Sequence, residues 1–132
     1  MKCFDVMKKG PPKCWTTDLV QLVAERLRVN RAGWLPVCDD EGRVVGILND
    51  HDLVVRVLAE RRRAEYTTAG DVMAKVPVCL ATDDLEVARK VARKLPTTPV
   101  VCTDPEGRPV GLIHPSDLYR GVTLRPPPAR AA

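Results

Sequence analysis

The chain has 132 residues and few aromatics: one Phe, two Trp and two Tyr make up 4% of it. A core built on it must therefore be aliphatic, and a base-stacking groove for nucleic acid has little to be made from. Histidine is as scarce, with only His51 and His114. No run of about 18 apolar residues occurs, so no membrane-spanning helix is expected. The opening Met1-Lys2-Cys3-Phe4-Asp5-Val6-Met7 lacks the apolar run of a secretion signal, and a cytoplasmic location is the expectation. Neither a P-loop nor a G-x-G-x-x-G is present, and no nucleophile, base and orienting group stand in a recognisable pattern. An enzyme is not expected. The five cysteines, Cys3, Cys14, Cys38, Cys79 and Cys102, include no C-x-x-C pair. Reduced, buried thiols are expected rather than a structural zinc site.

What is present is ordinary for one globular domain: 45% apolar and 29% charged residues. The net charge of +4, from 21 basic and 17 acidic residues, permits an anionic small ligand without requiring nucleic acid.

The chain also contains itself twice. Asp5-Val6-Met7 recurs as Asp71-Val72-Met73, Cys14 as Cys79, and Asp18-Leu19 as Asp84-Leu85. Gly42 and Gly46 recur as Gly107 and Gly111, and Asp52-Leu53 as Asp117-Leu118. The first copy covers residues 1–60 and the second 69–124, joined by a linker at 61–68 and followed by a proline-rich tail at 125–132. Within each copy the order of elements is readable. A short strand at Lys13-Cys14-Trp15-Thr16 precedes a helix capped by Asp18, with Leu19, Leu22, Val23 and Leu27 on one face. Val78-Cys79-Leu80-Ala81 and the helix begun by Asp84 match it. A β-hairpin follows, turning at Asp39-Asp40-Glu41-Gly42 in one copy and Asp104-Pro105-Glu106-Gly107 in the other. A final helix starts near Asp50 or Ser116. The expectation is an α/β (α+β) fold with a β-α-β-β-α unit used twice.

The junction of the last strand and helix carries the chemistry. Gly46 and Gly111, lacking side chains, would let a ligand or another chain approach closely. The helix start offers free N–H groups to a phosphate. A carboxylate at Asp52 or Asp117 can accept two hydrogen bonds from vicinal hydroxyls. Equally, Asp50 and Ser116 could be plain N-caps and the acids mere first-turn charges. Lys8, Lys9, Lys13 and Lys75 lie where they could neutralise phosphate, with Arg56 and Arg120 as alternatives.

These residues give the chain its resemblance to a tandem pair of cystathionine-β-synthase (CBS) domains, a Bateman module. The Asp-Val-Met openings carry it, with Leu35-Pro36-Val37-Cys38-Asp39 and the closing segments from Gly46 to Leu53 and Gly111 to Leu118. The resemblance implies two repeats packed with pseudo-twofold symmetry and two clefts between them for AMP, ADP, ATP or S-adenosylmethionine. It implies a homodimer that regulates an effector protein, with the nucleotide as regulatory ligand and no catalytic cofactor or metal. It assigns ribose binding to Asp52 and Asp117. Asn49, His51, His114 and Ser116 stand beside them, with Asn49 and His114 at positions where the family often has Ser or Thr. It also implies that Cys14, Trp15 and Thr16 face Asp117, and that Val78, Cys79, Leu80 and Ala81 face Asp52. Trp15 could stack on an adenine, or be a core or dimer-interface aromatic. The alternative function is a dimeric interaction scaffold with degenerate, empty clefts.

Overall fold

The computed structural model describes residues 1–31 and 33–119. The β-α-β-β-α order appears twice. The first unit is β2 (Cys14–Trp15), α1 (Val20–Asn30), β3 (Trp34–Cys38), β4 (Val44–Asn49) and α2 (Asp50–Leu53), continued by a π-helical turn at Val54–Leu58. The second is β5 (Val78–Leu80), α4 (Leu85–Ala92), β6 (Val100–Thr103), β7 (Pro109–Ile113) and α5 (Pro115–Leu118). In each unit the first strand pairs parallel and the hairpin antiparallel, giving sheets β2-β3-β4 and β5-β6-β7. The tail at 125–132 and the end of the second repeat lie outside the described residues. Among those described, no helix is long and apolar enough to cross a membrane.

The hairpin turns follow from their sequence. The Asp39 carboxylate accepts from the N–H groups of Glu41 and Arg43 at 2.9 and 3.0 Å, and Asp104 does the same for Glu106 and Arg108 at 3.0 and 2.9 Å. Gly42 and Gly107 close the turns at φ +82° and +86°, a region that costs glycine nothing. The two turns also meet: the Arg108 stem lies over Gly42 and the Arg43 stem over Gly107, a reciprocity that reports the pseudo-twofold axis.

Each unit has its own apolar core. Cys14, Val20, Val23, Leu35, Val37 and Leu48 fill the first, and Cys3, Cys79, Leu85, Ala88, Val100 and Ile113 the second. A third cluster joins the two sheets through Ile47, Val101 and Leu112. Burying such side chains contributes roughly 1.5–3 kcal/mol each for the larger aliphatics.

The segments that lead into the repeats cross over. Residues 1–10 precede the first unit but dock on the second. Cys3 N–H donates to Asp83 O at 2.9 Å, Phe4 N–H to Ala81 O at 3.0 Å, and a two-residue strand, β1 (Lys8–Lys9), pairs antiparallel with β7. Reciprocally, Thr67 O accepts from Val20 N–H at 2.8 Å, and α3 (Ala69–Val72) packs on the first core. Ala74 then bridges Ile47.

Several expectations are corrected here. At Gly46 and Gly111 the close approach is made by another segment of the chain and leaves no open space for a ligand. A Cβ on Gly46 would sit 2.5 Å from the Met73 sulfur, and one on Gly111 would collide with Met7. The methionine of each Asp-Val-Met thus fills the hollow left by the glycine of the other repeat. Asp18 does not cap α1, because its carboxylate accepts from Trp15 N–H at 2.9 Å and pairs with Arg26 at 2.8 Å, leaving Leu19 at the N-cap. The N-caps of α2 and α5 are Asn49 and His114, not Asp50 and Ser116.

Candidate functional site

Each final strand runs into a short helix, and the repeated acids sit in its first turn. At the first junction Asn49 and Asp52 form a capping box. Asn49 Oδ1 accepts from Asp52 N–H at 2.8 Å, and Asp52 Oδ2 from Asn49 N–H at 3.0 Å. The other carboxylate oxygen of Asp52 lies 3.8 Å from Arg56 Nε, one turn along. Arg56 in turn donates to the carbonyls of Val72 and Met73, both at 3.2 Å, tying this junction to the crossing segment. His51 is exposed beside it.

At the second junction Pro115 takes the first helical position, where its missing N–H costs nothing. Asp117 N–H donates to His114 O at 2.9 Å, and Asp117 is one of three buried polar residues among those described. A cleft of about 260 Å³ opens here, lined by Lys8, Lys9, Gly10, Pro11, Pro12, Arg31, Leu112 and His114. The crossing of residues 1–10 thus sets two lysines against the end of β7. Arg31 reaches the same cleft from the left-handed C-cap of α1. Burial and the Lys8 ammonium hold the His114 pKa below its ordinary value, against an opposing pull from Asp117. His114 is therefore neutral at pH 7, with one ring N–H to donate.

The remaining candidates divide by side chain. Cys14 and Cys79 point into the two cores. Burial pushes the Cys14 thiol up to about 12, and the adjacent Cys102 thiol with burial pushes Cys79 up as well, so neither is a reactive thiolate. Trp15 is partly exposed on the surface, with the Lys13 ammonium 5.2 Å from its ring centre. Thr16 lines a cleft with Asp39, Asp40 and Glu41, an acidic wall unsuited to phosphate. On β5, Val78 and Leu80 face outward on either side of buried Cys79, and Ala81 packs on the second core. The structure brings His114 together with residues 8–12 and Arg31. Cys14, Trp15 and Thr16 do not line that cleft. The two lysines had a sequence signal, a basic pair beside the Asp-Val-Met motif. Arg31 had none, because only the turn after α1 aims it there.

For a metal, the described residues offer one group of donors: Cys3, Cys79 and Cys102, with sulfurs all within 4.8 Å of one another.

This arrangement, two β-α-β-β-α units with exchanged lead-in segments, is that of a CBS pair. The CBS domain family model matches residues 3–59 and 69–123, and the chain belongs to that family, carrying its domain twice. Among curated relatives, Hypoxic response protein 1 of Mycobacterium tuberculosis is 31% identical over 68 residues, 52% of this chain and 48% of that protein. The chain spans about half the length of the curated relatives it matches. Among solved structures, Hypoxic Response Protein I with two coordinated zinc ions superposes with a TM-score of 0.80 at 24% identity, over 93% of this chain and 100% of that one. The CBS domain protein PAE2072 from Pyrobaculum aerophilum, complexed with AMP, gives 0.74 at 24% identity over 89% of each chain. The CBS domain pair of protein MJ0100, with 5-methylthioadenosine and S-adenosyl-L-methionine, gives 0.75 at 21% identity over 91% and 94%.

Proposed function

We propose that the chain is a regulatory module, not an enzyme, that binds an adenosine-containing ligand carrying phosphate at the junction of β7 and α5. The observation that carries this reading is the cationic cleft at His114. Lys8, Lys9 and Arg31 converge there on a strand end followed by a buried carboxylate. Two lysines and a guanidinium suit an anionic group. Asp117, next along, suits ribose hydroxyls. The volume, about 260 Å³, lies just below the usual range of ligand cavities. The AMP held by one solved CBS protein, and the adenosyl compounds held by another, support the ligand class. Asp52, at the matching position of the first repeat and held in its capping box, is the second candidate ribose contact, with Asn49 and His51 beside it. A homodimer that passes the change to an effector protein completes the reading, since a ligand transmits a signal only by preferring one state.

Calorimetric titration with AMP, ATP, S-adenosylmethionine and adenosine tests it. The expected result is saturable binding of at least one nucleotide, abolished at one site by Asp117→Ala and weakened by Lys8→Gln with Lys9→Gln. The lysine changes should leave adenosine affinity nearly unaltered. Absence of heat or thermal shift with all four compounds would reject the sensor. A ligand at about 100 times its dissociation constant adds about 2.7 kcal/mol, so such a null result is readable. The second reading, an interaction scaffold, is favoured by the first junction, where Met73 covers Gly46 and Arg56 engages Asp52. It expects a stable dimer whose mass is indifferent to these ligands.

A further inference from the structure

Three of the five cysteines meet inside the second half, brought there by three different segments. Cys79 and Cys102 are register partners on the adjacent parallel strands β5 and β6. Cys3 arrives on the lead-in segment that crosses from the first repeat. The sulfurs of Cys3 and Cys79 are 3.5 Å apart and those of Cys79 and Cys102 3.9 Å. Three sulfurs set round a centre at a thiolate–metal distance of about 2.3 Å would be about 4.0 Å from one another. The triad therefore has the spacing of a three-coordinate site before anything binds.

Two features restrict what it would hold. Among the described residues no histidine or carboxylate joins the group, so no fourth protein ligand is supplied. Structural zinc almost always takes four. The surroundings are Leu85, Ala88, Val100 and Ile113, and no lysine or arginine is among the buried described residues. A net charge on the centre would go uncompensated in an apolar core, which is costly. Three thiolates around a monovalent or divalent ion leave a negative charge. Around a trivalent ion they leave none.

We propose that Cys3, Cys79 and Cys102 form a binding site for a trivalent, sulfur-seeking metalloid of the arsenite class, held as a neutral tris-thiolate. Binding is a ligand exchange. Three S–H bonds and three bonds from the metalloid to hydroxide oxygen break, three metalloid–sulfur bonds form, and three waters leave. No electron is transferred and no net proton is released. Cys3 is fully buried, and the ion enters when residues 1–10 lift from the second half. A segment held by a two-residue strand and a few backbone hydrogen bonds opens locally at modest cost. Once bound, the ion fastens that segment to β5 and β6. The same segment supplies one wall of the His114 cleft.

The test uses the reduced 132-residue chain and sodium arsenite, with Zn(II) and Cu(I) as parallel arms. The expected results are one arsenic per chain by native mass spectrometry and an arsenic X-ray absorption spectrum with three sulfurs and no oxygen. A rise in Tm should appear in the wild type and be lost in Cys3→Ala. The double variant Cys14→Ala with Cys38→Ala, which retains only the triad, should bind as the wild type does. An arsenic shell of two sulfurs or fewer overturns the proposal, and that measurement needs no variant to fold. Undiminished binding by Cys3→Ala overturns it too. So does saturable binding of Zn(II) or Cu(I) by the triad with none of arsenite. Neither the site nor its test depends on the nucleotide reading.

Discussion

His114 carries two opposing influences that can be separated. Burial is the larger and, with the Lys8 ammonium, holds its pKa below the ordinary value of about 6.5, while Asp117 pulls it upward. As pH falls, the unfolded chain takes up this proton before the folded one does. The stability held by neutral His114 is therefore present above about pH 6.5 and is lost as pH drops through that value toward the folded pKa. An NMR titration should find the ring midpoint below 6.5, and Lys8→Gln should raise it without restoring it fully, because burial remains. Urea midpoints should be lower at pH 5.5 than at pH 7.5, by less in His114→Gln. An unmoved midpoint in Lys8→Gln would mean that Lys8 does not face the ring. The sequence marked His114 and Asp117 through their matched positions in the repeats. The pairing of Asp117 with Cys14, Trp15 and Thr16 came from the family resemblance and not from the repeats, which gave no sign that residues 8–12 lie beside His114. Repetition shows which residues correspond, not which segment crosses to which half.

Elements were legible where one local signal governs them. The hairpins follow from an Asp and a Gly at fixed places in the turn, and the short strands from apolar runs between such turns. Helix starts were less legible, because a carboxylate near a start can be drawn away by a distant partner. Asp18 goes to Arg26 and Trp15, and Asp84, which does hold the N-cap position of α4 as expected, turns its side chain to Lys2 at 2.9 Å. At α2 the capping box is complete, so Asn49→Ala should cost about 1 kcal/mol without any ligand present. Chemical denaturation measures that cost, which must be subtracted from any ligand effect assigned to this junction. The contact of β4 with the crossing segment is as specific. Gly46→Ala places a methyl group against the side chain of Met73, and overpacking of this kind costs about 1–3 kcal/mol. In combination with Met73→Ala the loss should fall short of the sum of the two single losses, since much of the clash is then gone. Strict additivity would show that the sulfur and the glycine do not meet in solution.

At the scale of the whole molecule the exchanged segments make two sequence repeats into one cooperative body. The first core needs Ala69 and Val72, which follow the linker, and the second needs Cys3, which precedes the first strand. The sheets then close on each other through Ile47, Val101 and Leu112. A chain cut at the repeat boundary leaves each fragment without the segment that covers its core. Fragment 1–60 keeps a lead-in that has no β7 to pair with, and loses the α3 turn that packs on Cys14 and Val23. Fragment 61–132 keeps α3 with no first core beneath it, and loses the N–H groups of Cys3 and Phe4 that satisfy the carbonyls of Asp83 and Ala81. Neither fragment alone should show dispersed amide resonances. Mixed in equal amounts, they should recover the spectrum of the intact chain, because both crossing segments then find their partners. A folded, dispersed spectrum from fragment 61–132 by itself would mean that the second half is autonomous. The crossing would then be a contact between finished domains rather than a condition of their folding.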